Sequence, residues 1–455
     1  MKNTSYIIAC CLILLFPACN KKLDVLPQNN VTPSQIKTSA DVEALLFGAY
    51  TLWQSYGGFG EQFILVPDLL ASDSQVNFIG TYQDYQAVQH KKTVSTNSIP
   101  ANLWANSYNI INITNTVLDK LSIVDTADRA TIEGEAKFIR GVTYFELVGF
   151  FGKPYSDGQA SANPGVPIVL APTYAYDSLK NRPSRATVSQ VYAQVLSDLQ
   201  IAIAKLPSAN VNFRADQFSA KAMLSRVYLS MGDYVNAALQ ANDVINSGNF
   251  TLTGSYDKAF NNASNSSEDV FAIQQSTQSN AGTSNQGLTT FYSPQPAGRG
   301  DAQIDPLYFN FFENADFRGG NVTQGVSIAG YQGYYPNKWA KFYKAIPVVR
   351  LAEMYLTRGE ANLLAGGAPA GGTSPVDDIN MVRMRSNASQ LSTVTLQDFI
   401  DERMRELGFE GDRLWTLKRL QMDISGLGYD DNLLVLPIPQ SEIDVNKNLV
   451  QNPGY

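Results

Sequence analysis

IPVVRLAEMYLTRGEANLLAGG (residues 346–367), PVDDINMVRMRSNAS (375–389) and LQDFIDERMRELGFEGDRLWTLKR (396–419) are three neighbouring stretches that each read as a helix. In the first, Val349, Ala352, Tyr355, Leu356 and Leu363 recur at three- and four-residue steps, the period of a helix with one buried face. Gly366 and Gly367 end it, since glycine accepts the left-handed cap conformation. In the third, Phe399, Met404, Leu407, Leu414 and Leu417 form an apolar stripe. The opposite face carries Asp401, Glu402, Arg403, Arg405, Glu406, Glu410, Asp412 and Arg413. Paired carboxylates such as Glu402 and Glu406 are the raw material of general acid–base chemistry. The spacing favours a structural reading instead: Asp401–Arg405 is an i,i+4 pair and Glu402–Arg405 an i,i+3 pair. A carboxylate beside an arginine stays ionised, which suits a strut.

Outward from this stretch the helical pattern repeats. Leu224, Ser225, Tyr228, Gly232, Tyr234 and Ala237 follow the tetratricopeptide spacing, with a small residue where helices meet, a tyrosine filling the gap and a glycine at the turn. Helix pairs at 41–121, 127–206 and 346–386 accompany this one at 214–250. The expected fold is therefore mainly α, with about four degenerate helical hairpins stacked because none can bury its apolar face alone. Ser39 is the expected cap of a helix over 40–53, and Thr187 of one that follows it. Further helices are expected over 104–121 and 126–151.

Residues 251–345 lose the helical period. Asn, Ser, Gly, Gln and Thr dominate 261–290, and aromatics are interleaved through 291–343. VFAIQQ (270–275) and NVTQGVSIAGYQGYY (321–335) read as strands or strand-like loops. Irregular stretches of this length are usually functional or disordered.

Composition narrows the function. The chain has 455 residues with 44% hydrophobic and 16% charged content, enough for a packed core. A net charge of −7 without basic blocks argues against nucleic acid. The single histidine, His90, lies beside Lys91 and Lys92 and reads as an exposed loop residue, which excludes a histidine-built zinc site. No cofactor or metal is expected. The cysteines, Cys10, Cys11 and Cys19, all lie in an N-terminal leader with Lys2, an apolar run from Tyr6 to Phe16, and Pro-Ala-Cys. This reads as a short secretory signal: lipoprotein processing is expected to remove residues 1–18 and lipidate Cys19 at the head of a tether over 19–38, the alternative being an ordinary signal peptide with Cys19 left as a free thiol.

Several of these segments resemble the SusD/RagB family of Bacteroidetes outer-membrane nutrient-binding lipoproteins. The resemblance rests on IPVVRLAEMYLTRGEA, ERMRELGFEGDRLWTLKR, EAKFIRGVTYFELVGFFGKPYS (135–156), the Asp316-Phe317-Arg318 triplet and the closing QNPGY of Gln451–Tyr455. It covers most of the chain. The sequence departs from the family pattern at Asp412, where histidine is usual, at Thr416, where aspartate is usual, and at Gly141 and Gly359, where alanine is usual. The resemblance implies one SusD-like domain over 39–455. Its helical repeats fall mainly in 39–250 and 346–388, and an irregular ligand-facing half with few short strands mainly in 251–345 and 389–455. It further implies a non-enzymatic surface protein that captures oligosaccharides and delivers them to a SusC-type TonB-dependent transporter. The alternatives are peptide cargo, or a tetratricopeptide lid that binds only the transporter. A hydrolase using carboxylates such as Asp68 and Asp73 is the remaining rival class.

Sugar capture needs flat rings for CH-rich faces, with amides and arginine for hydroxyls. Aromatics outside the helical pattern are the candidates: Phe78, Tyr82 and Tyr85 in one loop, and Tyr292, Tyr334 and Tyr335 in another. Asn77, Gln83 and Arg299 are the candidate polar contacts. Trp104 and Trp339 read as structural, while Trp53 reads equally as core or as ligand contact.

Overall fold

The computed structural model describes residues 33–175, 182–211 and 213–455. The signal segment and Cys19 lie outside the described residues. Helix α1 (Ser39–Gln54) opens one residue earlier than expected. Its cap is Thr38, whose hydroxyl accepts from the Asp41 N–H while Asp41 answers on the Thr38 backbone. Helix α2 (Gln62–Leu70) is buried on every side, as a helix apolar all round must be. Strand β1 (Val76–Phe78) and the short helix α3 (Gln83–Gln89) follow. Exposed His90 ends α3.

The long helices α4 (Ser98–Asp119), α5 (Arg129–Phe151), α6 (Val188–Lys205), α7 (Gln217–Met231) and α8 (Tyr234–Ile245) then pack in succession. Thr187 caps α6 through a capping box with Gln190, an arrangement that contributes about 1 kcal/mol. Gly232 makes the α7–α8 turn at φ +75°, a conformation that penalises any Cβ. Arg140 of α5 grips Asp198 of α6 with two bonds of 2.7 Å, both side chains buried. Trp53 is core: it is fully buried and its indole N–H donates to Thr143 of α5 at 3.1 Å.

After α8 the chain makes β2 (Asp269–Ile273), α9 (Leu288–Tyr292), β3 (Ala302–Ile304), β4 (Val322–Val326), β5 (Gln332–Pro336) and β6 (Ile346–Arg350). They pair antiparallel as β1–β3, β2–β6 and β4–β5. Strand β6 corrects the helical reading of 346–367. Ile346–Arg350 pairs with β2, and the helix α10 (Leu351–Ala365) begins only at Leu351. Proline and paired valines suit an extended segment buried against a neighbour strand. Helix α11 (Pro375–Arg385) packs on α10. The third stretch is also two helices, α12 (Leu396–Leu407) and α13 (Asp412–Arg419). They are separated by a turn in which Phe409 and Gly411 take φ +67° and +82°. Helix α14 (Gln440–Val445) precedes the tail.

The pairs α1/α4, α5/α6, α7/α8 and α10/α11 are the expected hairpins, each packed on the next. The QNPGY tail is tied down: Asn452 donates to the carbonyls of Phe151 and Leu436, and the Tyr455 hydroxyl to that of Val435.

The charged face of α12 is not a solvent-facing ladder. Glu402, Arg403 and Glu406 are buried, and most of their partners come from elsewhere in the chain. Arg318, of the Asp-Phe-Arg triplet, holds Asp316, Glu402 and Glu406 at 2.7–3.1 Å. Arg350 holds Glu268, Glu406 and Glu410 at 2.5–2.9 Å. Arg385 adds Glu268 and Glu406. Of the two expected intrahelical pairs, Glu402–Arg405 forms at 2.9 Å. Asp401 instead accepts from Gln397 at 2.8 Å, and the Arg405 Nε donates to the Phe311 carbonyl. A carboxylate clamped by arginines is a poor proton donor, so this cluster is structural.

Candidate ligand-binding face

Pairing of β1 with β3 brings together two loops more than two hundred residues apart. Asn77 lies opposite Gln303 and Phe78 opposite Ala302. Phe78, Tyr85 and Phe291 then pack as a buried aromatic group, with ring centroids 5.1–6.1 Å apart. Tyr82 lies over this group, edge-on to Phe291 at 5.9 Å. The Arg299 guanidinium stacks on the Tyr82 ring at 4.7 Å and is steadied by Asp301 at 2.7 Å. Both Tyr82 and Arg299 keep part of their surface in solvent.

The β4–β5 hairpin lies beside them. Its tip is joined to the segment before β3 by the Ile328 N–H, which donates to the Arg299 carbonyl at 2.6 Å. Strand β5 rests on β3, because Gly333 brings no side chain: a Cβ there would sit 2.3 Å from the Gln303 amide carbon. Alternation along β5 decides which tyrosine is available. Tyr335 points inward, is fully buried, and its hydroxyl accepts from Gln303 at 2.7 Å and donates to Gly300 at 3.1 Å. Tyr334 points outward, 42% exposed, with its ring edge-on to Phe309 at 5.3 Å. Gln324 faces Tyr334 across the hairpin, Gln332 precedes it by one strand repeat, and both amides are exposed.

The structure thus divides the candidate residues. Tyr82, Arg299 and Tyr334 keep part of their surface in solvent. Gln83 is exposed at the start of α3, and half-buried Asn77 donates to Asp305 at 2.9 Å. Phe78, Tyr85, Tyr292 and Tyr335 lie beneath, where burial leaves no ring face for a ligand. The hydroxyls of the three tyrosines are committed. Tyr85 donates to Glu61, which also receives the Gly287 N–H at 2.6 Å. Tyr292 donates to Asp68 at 2.8 Å, beside Gln75 and the Gly411 N–H. Burial pushes Glu61 up to about 8 and Asp68 up to about 7. With three donors around it and no solvent access, Asp68 is a poor hydrolytic residue. Asp73 is occupied by Ser425.

Sequence reasoning missed Tyr331 (58% exposed), Ile328 and the two glutamines. The period-2 pattern of QGYYP would have singled out Tyr334 over Tyr335 and placed Gln332 on the same side. Trp339 is structural as expected, its indole donating to the Phe409 carbonyl at 2.8 Å. Among the described residues, no group of three or more His, Cys, Asp or Glu side chains is placed to hold a metal. No helix among them is long and apolar enough to cross a membrane.

A stacked helical-repeat scaffold carrying an irregular aromatic and amide face has the architecture of a binding protein. A family described as "Starch-binding associating with outer membrane" matches residues 21–229, and the SusD family matches residues 307–434. The SusD-like protein P2 of Formosa agariphila is 25% identical, over 98% of each chain. The starch-binding protein SusD of Bacteroides thetaiotaomicron is 37% identical over a shorter region, 29% of this chain and 26% of that one. A crystal structure of a SusD superfamily protein from the same species superimposes with a TM-score of 0.82 at 26% identity, covering 91% of this chain and all of the other. The chain belongs to the SusD/RagB family, whose members are outer-membrane-associated binding proteins.

Proposed function

We propose that this protein is a lipid-anchored cell-surface receptor that captures oligosaccharides on the face formed by Tyr82, Arg299, Tyr331 and Tyr334 and passes them to a SusC-type TonB-dependent transporter. The observation that carries the reading is the outward Tyr334 ring flanked by the exposed amides of Gln324 and Gln332. A flat ring stacks on the apolar face of a sugar, and neighbouring amides offer donors and acceptors to its hydroxyls. Arg299, stacked on Tyr82, adds fixed donors at the same surface. Attachment through Cys19 would keep this face at the membrane surface, and the helical hairpins supply a broad surface for a transporter.

Calorimetric titration of the lipid-free protein against plant, host and microbial glycans tests this reading. We expect at least one oligosaccharide to bind, and the triple substitution Tyr82→Ala, Tyr331→Ala, Tyr334→Ala to weaken it by tenfold or more. Undiminished binding in the triple variant would move the site elsewhere. A blank panel with folded protein would favour peptide cargo or a transporter lid.

A further inference from the structure

A pocket lies where α2, α5, α6 and α7 meet α12 and α13. It has room for about 90 Å³. Phe63 of α2, Phe145 of α5, Tyr192 of α6, Leu229 of α7 and Trp415 of α13 wall it. Phe145, Ser230 and Trp415 keep part of their surface in solvent, so the pocket is reachable. One carboxylate lines it without a hydrogen-bond or ion-pair partner among the described residues: Glu146 of α5, only 7% exposed.

The surrounding charges show why Glu146 stands apart. Arg226 of α7 is held two-pronged by Glu353 of α10, at 2.5 and 2.6 Å. Arg403 of α12 is taken by Glu360 and by Asp412, each at 2.8 Å, and Arg419 of α13 also by Glu360. Glu410 is bound by Arg350 at 2.7 Å and by Lys338. Every cation lining the pocket is therefore matched, and Glu146 is the surplus negative charge. Taking an ion out of water costs several kcal/mol unless another charge compensates it. Burial accordingly pushes the Glu146 carboxyl up to about 7, with Arg226 opposing the shift.

We propose that this pocket binds a primary ammonium group on a short apolar chain, the Glu146 carboxylate taking the charge and the aromatic walls taking the chain. An ammonium would supply charge-assisted hydrogen bonds that no protein group provides. The rings of Phe145, Tyr192 and Trp415 favour a cation beside their faces. A neutral alcohol would leave the carboxylate charge uncompensated, and an anion would be repelled by it. The other titratable groups facing Glu146 are Tyr192, which burial pushes up, and the paired Arg226, Glu353, Arg403, Glu410, Asp412 and Arg419.

Calorimetry on the full-length protein with n-butylammonium chloride and n-butanol, at matched chloride concentration, tests the assignment. Butylammonium should bind at least tenfold more tightly than butanol, and Glu146→Gln should abolish that preference. In the unsubstituted protein, affinity for butylammonium should fall about tenfold from pH 8 to pH 6, as a carboxyl near 7 takes up its proton. The pH series needs no variant, so it decides the matter even if the substitution impairs folding. Equal affinity for the two probes, a preference that survives Glu146→Gln, or no binding of either probe would each overturn the proposal, leaving a pocket filled by water.

Discussion

Glu406 and Glu61 are both fully buried, yet the chain treats them in opposite ways. At Glu406 burial opposes ionisation, but Arg385, Arg350, Arg318 and Lys338 outweigh it and hold the carboxyl well below its usual range. At Glu61 burial wins, because the partners are a tyrosine hydroxyl and a backbone N–H rather than cations, and the carboxyl rises to about 8. The first belongs to an ionic clamp joining α12 to the strands and the irregular half. The second lies in the neutral floor beneath the aromatic face. The residue type is the same; the charge of the partner decides whether it serves as a fixed anion or a neutral hydrogen-bonding group.

Breaking the clamp should have the largest effect. Arg350→Met leaves Glu268, Glu406 and Glu410 short of a cation, and should destabilise the protein by about 3–5 kcal/mol in urea unfolding. A loss below about 1 kcal/mol would mean the clamp is no more dependent on charge than the floor. The floor separates itself by pH. The folded protein keeps the Glu61 proton up to about 8, whereas the unfolded chain releases it near 4.5. The folded state thus binds more protons between these values. Its stability is greatest below the unfolded value and declines as pH rises through about 8. Glu61→Gln should flatten that decline, read as urea midpoints at pH 5, 7 and 9; an unchanged slope would remove Glu61 from the account. Glu406 has the reverse sign: its contribution is present above its unfolded value and lost on acidification. The smallest stability effect is expected above the floor. Tyr334→Ala should change stability by no more than about 0.5 kcal/mol, while weakening oligosaccharide binding about three- to tenfold. A large loss of stability would make Tyr334 part of the scaffold instead.

Much of the helical half was legible because its signals are local. The Thr187 cap, the Gly232 turn and the Leu224–Ala237 spacing each act within a few residues. The limits show at Ile346–Arg350, where apolar periodicity continued into the next helix and hid a strand whose partner, β2, lies more than seventy residues upstream. The candidate face was half legible. Both loops were found, and Tyr82, Arg299 and Tyr334 emerge at the surface. Tyr85 and Tyr292 were indistinguishable from them by residue type, because the buried acids Glu61 and Asp68 that claim their hydroxyls lie 24 and 224 residues away.

The sequence by itself determined the helical repeat, the Thr187 cap and the Gly232 turn within it, and the family. These depend on side-chain periodicity and short-range hydrogen bonds. Only the tertiary structure decided which aromatics face solvent, which charges are clamped and that Glu146, among the described carboxylates lining its pocket, is left without a partner. Those outcomes depend on contacts between segments distant in the chain, where burial sets the strength of each charge and one strand's register chooses the side on which a ring emerges.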